Sequence, residues 1–140
     1  MKSLDTNKKG VLTELQVMES AIKSGYIVSI PYGDCARYDQ IWDLQGKMLR
    51  VQIKTARWKD NRKTAIVFNC YSVSNGEKHK YSAKDVDCFA TFWEGSCYLV
   101  PSKDCATEKT LWVEPPSVNC DRICLAKDYE LKNAKLQMQI

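Results

Sequence analysis

Apolar residues between positions 8 and 24 recur with helical spacing. Val11, Leu15, Met18 and Ile22 fall at i, i+4, i+7 and i+11, which predicts one apolar stripe on an amphipathic helix. Gly25 follows, at the position where left-handed backbone commonly ends a helix. Tyr26–Ile30 is a short apolar run closed by Pro31 and predicts a strand; PYGDCA after it reads as a turn. The period then changes to two. Tyr38–Leu44 and Met48–Ala56 alternate on either side of Gln45-Gly46, the pattern of a β-hairpin. Further strands are predicted at Thr64–Cys70, Cys88–Trp93 and Cys97–Val100, the last two joined by a Glu94-Gly95-Ser96 turn. Beyond Pro101 the pattern weakens: Ile123–Leu131 fits a strand end or a short helix, and KNAKLQMQI a terminal helix. A leading helix followed by mostly antiparallel strands predicts an α/β (α+β) fold with a central mixed sheet. Without repeats or a long linker, residues 1–140 fit a single domain.

The hairpin can be aligned by counting. With Gln45-Gly46 as the turn, Leu44 faces Lys47, Asp39 faces Gln52 and Arg37 faces Lys54. Opposed residues share a face, with Cβ atoms about 5 Å apart. Asp39, Gln52 and Lys54 are thereby gathered on one face, while Leu49, Val51 and Ile53 join Tyr38 and Trp42 on the other. A slip of one residue would scatter the three polar groups.

A carboxylate, an amide and an ammonium in this arrangement suit phosphodiester hydrolysis. That reaction needs a divalent cation, a source of hydroxide and positive charge against the developing oxyanion. Asp39 offers a hard carboxylate oxygen for Mg²⁺ or Mn²⁺, and Gln52 a neutral carbonyl oxygen beside the Ile53 backbone carbonyl. Lys54 is suited to orient water or to face the phosphate. Glu14, in Gly10-x-x-x-Glu14 near the border of the helical stripe, is a further candidate ligand. The plainer alternative is an exposed Asp39–Lys54 ion pair contributing about 0–1 kcal/mol.

Charge and composition change this picture little. Lys and Arg number 21 against 17 Asp and Glu, for a net charge of +4, a mild tilt that does not by itself mark a nucleic-acid binder. The basic residues are clustered, however. Arg57, Lys59, Arg62 and Lys63 surround Trp58 directly after the hairpin, and Lys78 and Lys80 follow Asn75-Gly76. These groups, with Arg37, are candidate phosphate contacts; Trp58 suits either a base contact or the core. Trp42, Trp93 and Trp112 read as core.

Seven cysteines at irregular spacing, with no apolar leader in MKSLDTNKKG, predict small buried thiols rather than a disulfide framework. The Cys120–Cys124 pair and the single His79 do not make a zinc site, and nothing points to a nucleotide cofactor. No apolar run reaches the ~20 residues of a membrane helix. The expectation is a cytoplasmic protein with no membrane contact.

The order Gly10-x-x-x-Glu14, Gly33-Asp34, Arg37-Tyr38-Asp39 and Val51-Gln52-Ile53-Lys54-Thr55 resembles the PD-(D/E)xK nuclease superfamily. Its closer resemblance is to the homing endonucleases associated with bacterial group I introns. The likeness continues through Asp85-Val-Asp87-Cys-Phe-Ala and Tyr98-Leu-Val-Pro101. It implies a restriction-endonuclease-like core, divalent-metal-dependent cleavage of double-stranded DNA leaving 5′-phosphates, and a homodimer or homotetramer. It also implies Asp39 as the central metal ligand, Gln52 at the usual Asp/Glu position, Lys54 as the motif lysine and Glu14 as the helical acid. Two departures stand out. Gln52 replaces a carboxylate, which bears on whether one metal or two are held, and no proline precedes Asp39. The rivals to a homing-type endonuclease are a Holliday-junction resolvase and a catalytically inactive DNA-binding relative.

Overall fold

The computed structural model describes residues 5–117 and 122–133. Helix α1 (Thr6–Lys23) is followed by β1 (Ile27–Ser29), β2 (Gln40–Leu44), β3 (Lys47–Ile53), β4 (Arg57–Trp58) and β5 (Ala65–Asn69). Then come β6 (Tyr71–Ser74), β7 (Glu77–Lys80), β8 (Cys88–Trp93), β9 (Ser96–Pro101) and β10 (Glu108–Trp112). Short 3₁₀ turns cover Ser102–Asp104 and Ala126–Tyr129. The second of these lies within 123–131, where the sequence left strand and helix open. Most of KNAKLQMQI, and Cys120, lie outside the described residues.

The central sheet has the order β1-β2-β3-β8-β9 and is mixed: β3 runs parallel to β8, and the other neighbours are antiparallel. A second sheet, β10-β5-β4, covers one of its faces, and β6-β7 forms a separate hairpin. The β2–β3 register matches the count from the turn, with Leu44 opposite Lys47 and Gln40 opposite Val51. Gln45 and Gly46 both have positive φ, 54° and 87°, the two-residue turn whose twist suits a hairpin. Asn75-Gly76 and Glu94-Gly95 repeat that geometry, so Ser96 already belongs to β9.

Side-chain alternation along β3, β8 and β9 separates two cores. Val51, Ile53, Cys88, Ala90 and Leu99 join Trp42 and Leu49 beneath α1. Phe89, Tyr98 and Val100 point the other way, onto Ile66, Phe68 and Leu111 of the second sheet. Tyr38, expected beside Trp42, packs with this second group. The hairpin face opposite the helix is therefore largely covered rather than free, a consequence of β10, which pairs with β5 over Glu108–Trp112 where the sequence pattern had weakened.

Helix α1 docks through a different stripe from the one its hydrophobicity suggested. Thr13, Val17 and Ala21, spaced at i, i+4 and i+8, are buried. Val11, Leu15 and Ile22 are 58%, 52% and 56% exposed. The small side chains let the helix backbone approach the sheet, and Thr13 Oγ1 satisfies itself by donating to the Lys9 carbonyl at 2.8 Å. Asp5 caps the start, its Oδ1 accepting the Lys8 N–H at 2.9 Å. Among the tryptophans, Trp42 is fully buried, whereas Trp93 and Trp112 are half-buried. Cys35 is exposed, so the expectation of buried thiols fails there; Cys70, Cys88 and Cys97 fulfil it.

These two helix faces give a direct test. Val17→Ala should cost about 2 kcal/mol in urea unfolding, from lost apolar burial. Leu15→Ala, on the exposed stripe, should change monomer stability by less than about 0.5 kcal/mol. Equal costs at both positions would contradict this docking.

Candidate active site

Asp39 stands one residue before the paired part of β2 and clamps β3 twice. Its backbone N–H donates to the Val51 carbonyl, and its Oδ2 accepts the Ile53 N–H, each at 2.9 Å. The carboxylate is thus fixed against the end of β3. Gln52 is buried in the middle of the sheet, opposite Phe89 in the parallel β3–β8 ladder. Two residues on, the Lys54 N–H donates to the Ala90 carbonyl at 3.0 Å, and its Nζ leaves the sheet edge. That ammonium donates to the Tyr71 carbonyl at 2.9 Å and lies 5.1 Å from the centre of the Tyr81 ring.

Glu14 approaches from the helix across Gln40. The Gln40 amide bridges the two elements: Nε2 donates to the Glu14 carbonyl at 3.2 Å, and Oε1 accepts the Trp42 indole N–H at 2.9 Å. Glu14 is exposed on α1, yet partial desolvation lifts its carboxyl above the ordinary pKa, and the negative charge of Asp39 adds to the rise. Burial also raises Asp39, more than the Ile53 N–H and the Lys54 charge lower it. For Asp39 the nearby Lys54 charge does not offset burial, and for Glu14 no positive charge opposes the rise.

This donor set suits a hard divalent cation: two carboxylates whose ionisation is disfavoured by desolvation and by the repulsion between them, with Gln52 one residue from the Ile53 that Asp39 binds. It is leaner in acids than a site built wholly of carboxylates. Among the described residues, no three His, Cys, Asp or Glu cluster closely enough to hold a metal.

Arg37 has a different environment from the one expected. Pairing of β2 starts at Gln40, and the Arg37 guanidinium turns toward the β6–β7 hairpin. It donates to the Lys80 carbonyl at 3.1 Å, Asp85 Oδ2 at 3.0 Å, Ser72 Oγ at 3.3 Å and the His79 carbonyl at 3.4 Å. It also lies 4.2 Å from the Tyr81 ring centre. Arg37 and Lys54 meet at Tyr81 rather than at each other. Asp85 and Asp87, part of the motif order, serve as anchors: Asp85 holds Arg37, and Asp87 holds the backbone and guanidinium of Arg50. The sequence alone assigns Tyr81 no role in the site. Its only signal there was a lone aromatic closing the basic stretch Lys78-His79-Lys80.

The basic candidates fall into two regions. Lys78 and Lys80 are exposed on β7, whose hairpin reaches the site through Tyr71 and Arg37; Lys78 Nζ stands 4.7 Å from the Tyr71 ring centre. Arg57, Lys59, Arg62 and Lys63 are exposed along β4 and the turn into β5. Arg57 is shared with Asn69 and Glu108, Lys59 lies over Trp112 at 5.8 Å, and Arg62 pairs with Asp60 at 3.6 Å. Trp58 is half-buried, edge-on to Trp93 with ring centres 4.9 Å apart. Only the hairpin group touches Lys54 and Arg37.

A family model described as PD-(D/E)XK endonuclease matches residues 4–132. Among solved structures, the chain is similar to a bacterial homing endonuclease, I-Ssp6803I, at 21% identity and a TM-score of 0.72. That match covers 97% of this chain and 98% of the other. No curated protein matches.

The raised carboxyls predict a pH dependence. The folded chain holds the Asp39 and Glu14 protons more tightly than the unfolded chain. The stability they contribute is present below the ordinary carboxylate range and is lost as pH rises through the raised folded values. Asp39→Asn keeps an acceptor for the Ile53 N–H but cannot ionise. Its metal-free unfolding free energy should therefore fall less than wild type's between roughly pH 4 and pH 6. A slope as steep as wild type's would refute the burial argument.

Proposed function

This chain belongs to the PD-(D/E)XK endonuclease family, and from that membership we propose that Asp39, Gln52, Lys54 and Glu14 form the site of a Mg²⁺- or Mn²⁺-dependent enzyme cutting double-stranded DNA, of the intron-associated homing type. The observation that carries this is the convergence of Asp39 and Lys54 at the end of β3, with Glu14 electrostatically coupled to Asp39. Similarity over nearly the full length of a bacterial homing endonuclease supports the finer assignment. Its substrate would be met in the cytoplasm.

Nucleases of this family generally use divalent metals. Asp39 and Glu14 would hold the cation, with the Gln52 amide oxygen as a weaker ligand. When bound, it supplies positive charge against the phosphate oxygens and acidifies water. Lys54 would contribute its ammonium, orienting the attacking water and neutralising charge on the phosphate. For this, Nζ must exchange the Tyr71 carbonyl for substrate, while the Tyr81 ring continues to favour a cation there. Lys78, Lys80 and the Arg57–Lys63 stretch, including Arg57, Lys59, Arg62 and Lys63, would contact phosphates and position the duplex. Arg37 would act indirectly, fixing the hairpin that carries Lys78 and Lys80. Trp58 would support that surface by packing on Trp93.

One site per chain cuts one strand, so the reading requires at least two copies. The exposed stripe Val11, Leu15 and Ile22 supplies an apolar helix face for a second copy of the chain. Leu15→Glu should shift the sedimentation of concentrated protein toward monomer; an unchanged assembly, or a wild type that is monomeric at all concentrations, would refute that surface.

Asp39→Asn and Lys54→Ala should each reduce Mg²⁺-dependent nicking of supercoiled plasmid by at least ~10³-fold. Both should keep DNA binding in Ca²⁺. Wild type that nicks no DNA would overturn the enzymatic reading in favour of a binding module. Rapid cutting confined to four-way junctions would replace the homing assignment with a resolvase.

A further inference from the structure

Lys54 Nζ is held by two groups at the base of one hairpin, the Tyr71 carbonyl at 2.9 Å and the Tyr81 ring with its centre at 5.1 Å. Tyr71 pairs with Lys80, the residue before Tyr81, at the end of the β6–β7 ladder, so carbonyl and ring arrive together. The ring is fixed in its turn. It meets Phe89 edge-on with ring centres 5.5 Å apart, and Phe89 is a core residue opposite Gln52 in the β3–β8 ladder. Directly after Tyr81 the chain closes a turn, the Ser82 N–H donating to Asp85 Oδ2 at 3.0 Å. The same oxygen accepts from Arg37 at 3.0 Å, and the Arg37 guanidinium lies 4.2 Å from the Tyr81 ring centre.

The two cations on this ring differ in one respect. Arg37 is paired with Asp85, whereas Lys54 forms no ion pair with a carboxylate among the described residues. A carboxylate bonded to Nζ would oppose its charge and compete with a phosphate for it. An aromatic face attracts an ammonium through its quadrupole, leaves the charge in place and demands no fixed hydrogen-bond direction. Nζ can therefore exchange the Tyr71 carbonyl for a substrate oxygen without giving up the ring.

We propose that Tyr81 is a positioning residue for the motif lysine: its ring holds the Lys54 ammonium at the end of β3 without a bonded counter-ion, one residue beyond the Ile53 that Asp39 binds. The proposal rests on the nuclease reading above and adds to it a residue that acts only through Lys54. The ring is the operative group and the hydroxyl is not. Arg37 and the Ser82–Asp85 turn serve to keep that ring in place.

The test compares wild type, Tyr81→Phe and Tyr81→Leu by single-turnover nicking of supercoiled plasmid in Mg²⁺ and by DNA binding in Ca²⁺. Tyr81→Leu keeps apolar bulk but removes the quadrupole, and should nick about 10-fold more slowly with an unchanged Kd. Tyr81→Phe should nick at the wild-type rate. A second readout needs no cleavage. In proton–carbon NMR spectra of the metal-free chain, the Lys54 ε-methylene signal is assigned by its loss in Lys54→Ala. Ring current should shift it upfield in wild type and in Tyr81→Phe, and Tyr81→Leu should return it to the ordinary lysine position. An unshifted signal in wild type would overturn the proposal, as would a Tyr81→Leu rate equal to wild type. So would a Tyr81→Phe rate as low as that of Tyr81→Leu. A loss of DNA binding in Tyr81→Leu as large as its loss of rate would also overturn it, marking a ring that only supports the hairpin. Because wild type and Tyr81→Phe keep the packing on Phe89, their spectra decide the contact even if Tyr81→Leu unfolds. A wild type that nicks no DNA would refute the nuclease reading alone, since the Lys54 signal still reports whether the ring holds it.

Discussion

The Ile53 N–H and the Asp39 carboxylate share one hydrogen bond of 2.9 Å, and the site is organised around it. Asp39 lies just before the β2–β3 ladder, where the chain has no regular strand partner, yet its main chain and side chain grip Val51 and Ile53 together. This fixes an acid next to the two residues that flank Ile53. One is Gln52, locked into the centre of the sheet; the other is Lys54, leaving it. The same bond uses one carboxylate oxygen as a backbone cap, leaving the other for a ligand.

Parallel pairing of β3 with β8 gives that arrangement its rigidity. Strands at the centre of a mixed sheet are buried on both faces, and here α1 covers one while the β10-β5-β4 sheet covers the other. Lys54 emerges at the strand end, where it meets the base of the β6–β7 hairpin. Tyr81 sits there with two cations on its ring, Lys54 and Arg37. The hairpin bearing Lys78 and Lys80 is consequently tied to the motif lysine through side-chain and backbone contacts.

Electrostatically the molecule holds two opposed regions. Glu14 and Asp39 are carboxyls that desolvation makes reluctant to ionise, a cost that a bound cation offsets. Exposed basic groups on the hairpin and on the Arg57–Lys63 stretch favour a polyanion close by. In the proposed reading, attraction of both a cation and DNA to this chain would follow from that division. It does not follow from net charge, which is a modest +4.

Local pairing was readable from the chain alone. A two-residue Gln45-Gly46 turn leaves one sensible register, so the pairs from Leu44–Lys47 to Gln40–Val51 followed by counting. The counted Asp39–Gln52 pair lies beyond the ladder, where Asp39 bonds Val51 and Ile53 instead. The motif order pointed to the nuclease family. Helix α1 and most strands were legible from local periodicity, as was the tight β8–β9 turn. What tertiary structure decided was which surfaces meet. Helical periodicity displayed an apolar stripe, but the small residues Thr13, Val17 and Ala21 fit closest to the sheet, leaving Leu15 outside. Arg37 found its partners at Ser72, Lys80 and Asp85, and β10 found β5, across dozens of intervening residues. Pattern and propensity act over a turn or two of chain, whereas those contacts depend on shape and charge brought together only when the whole sheet has formed.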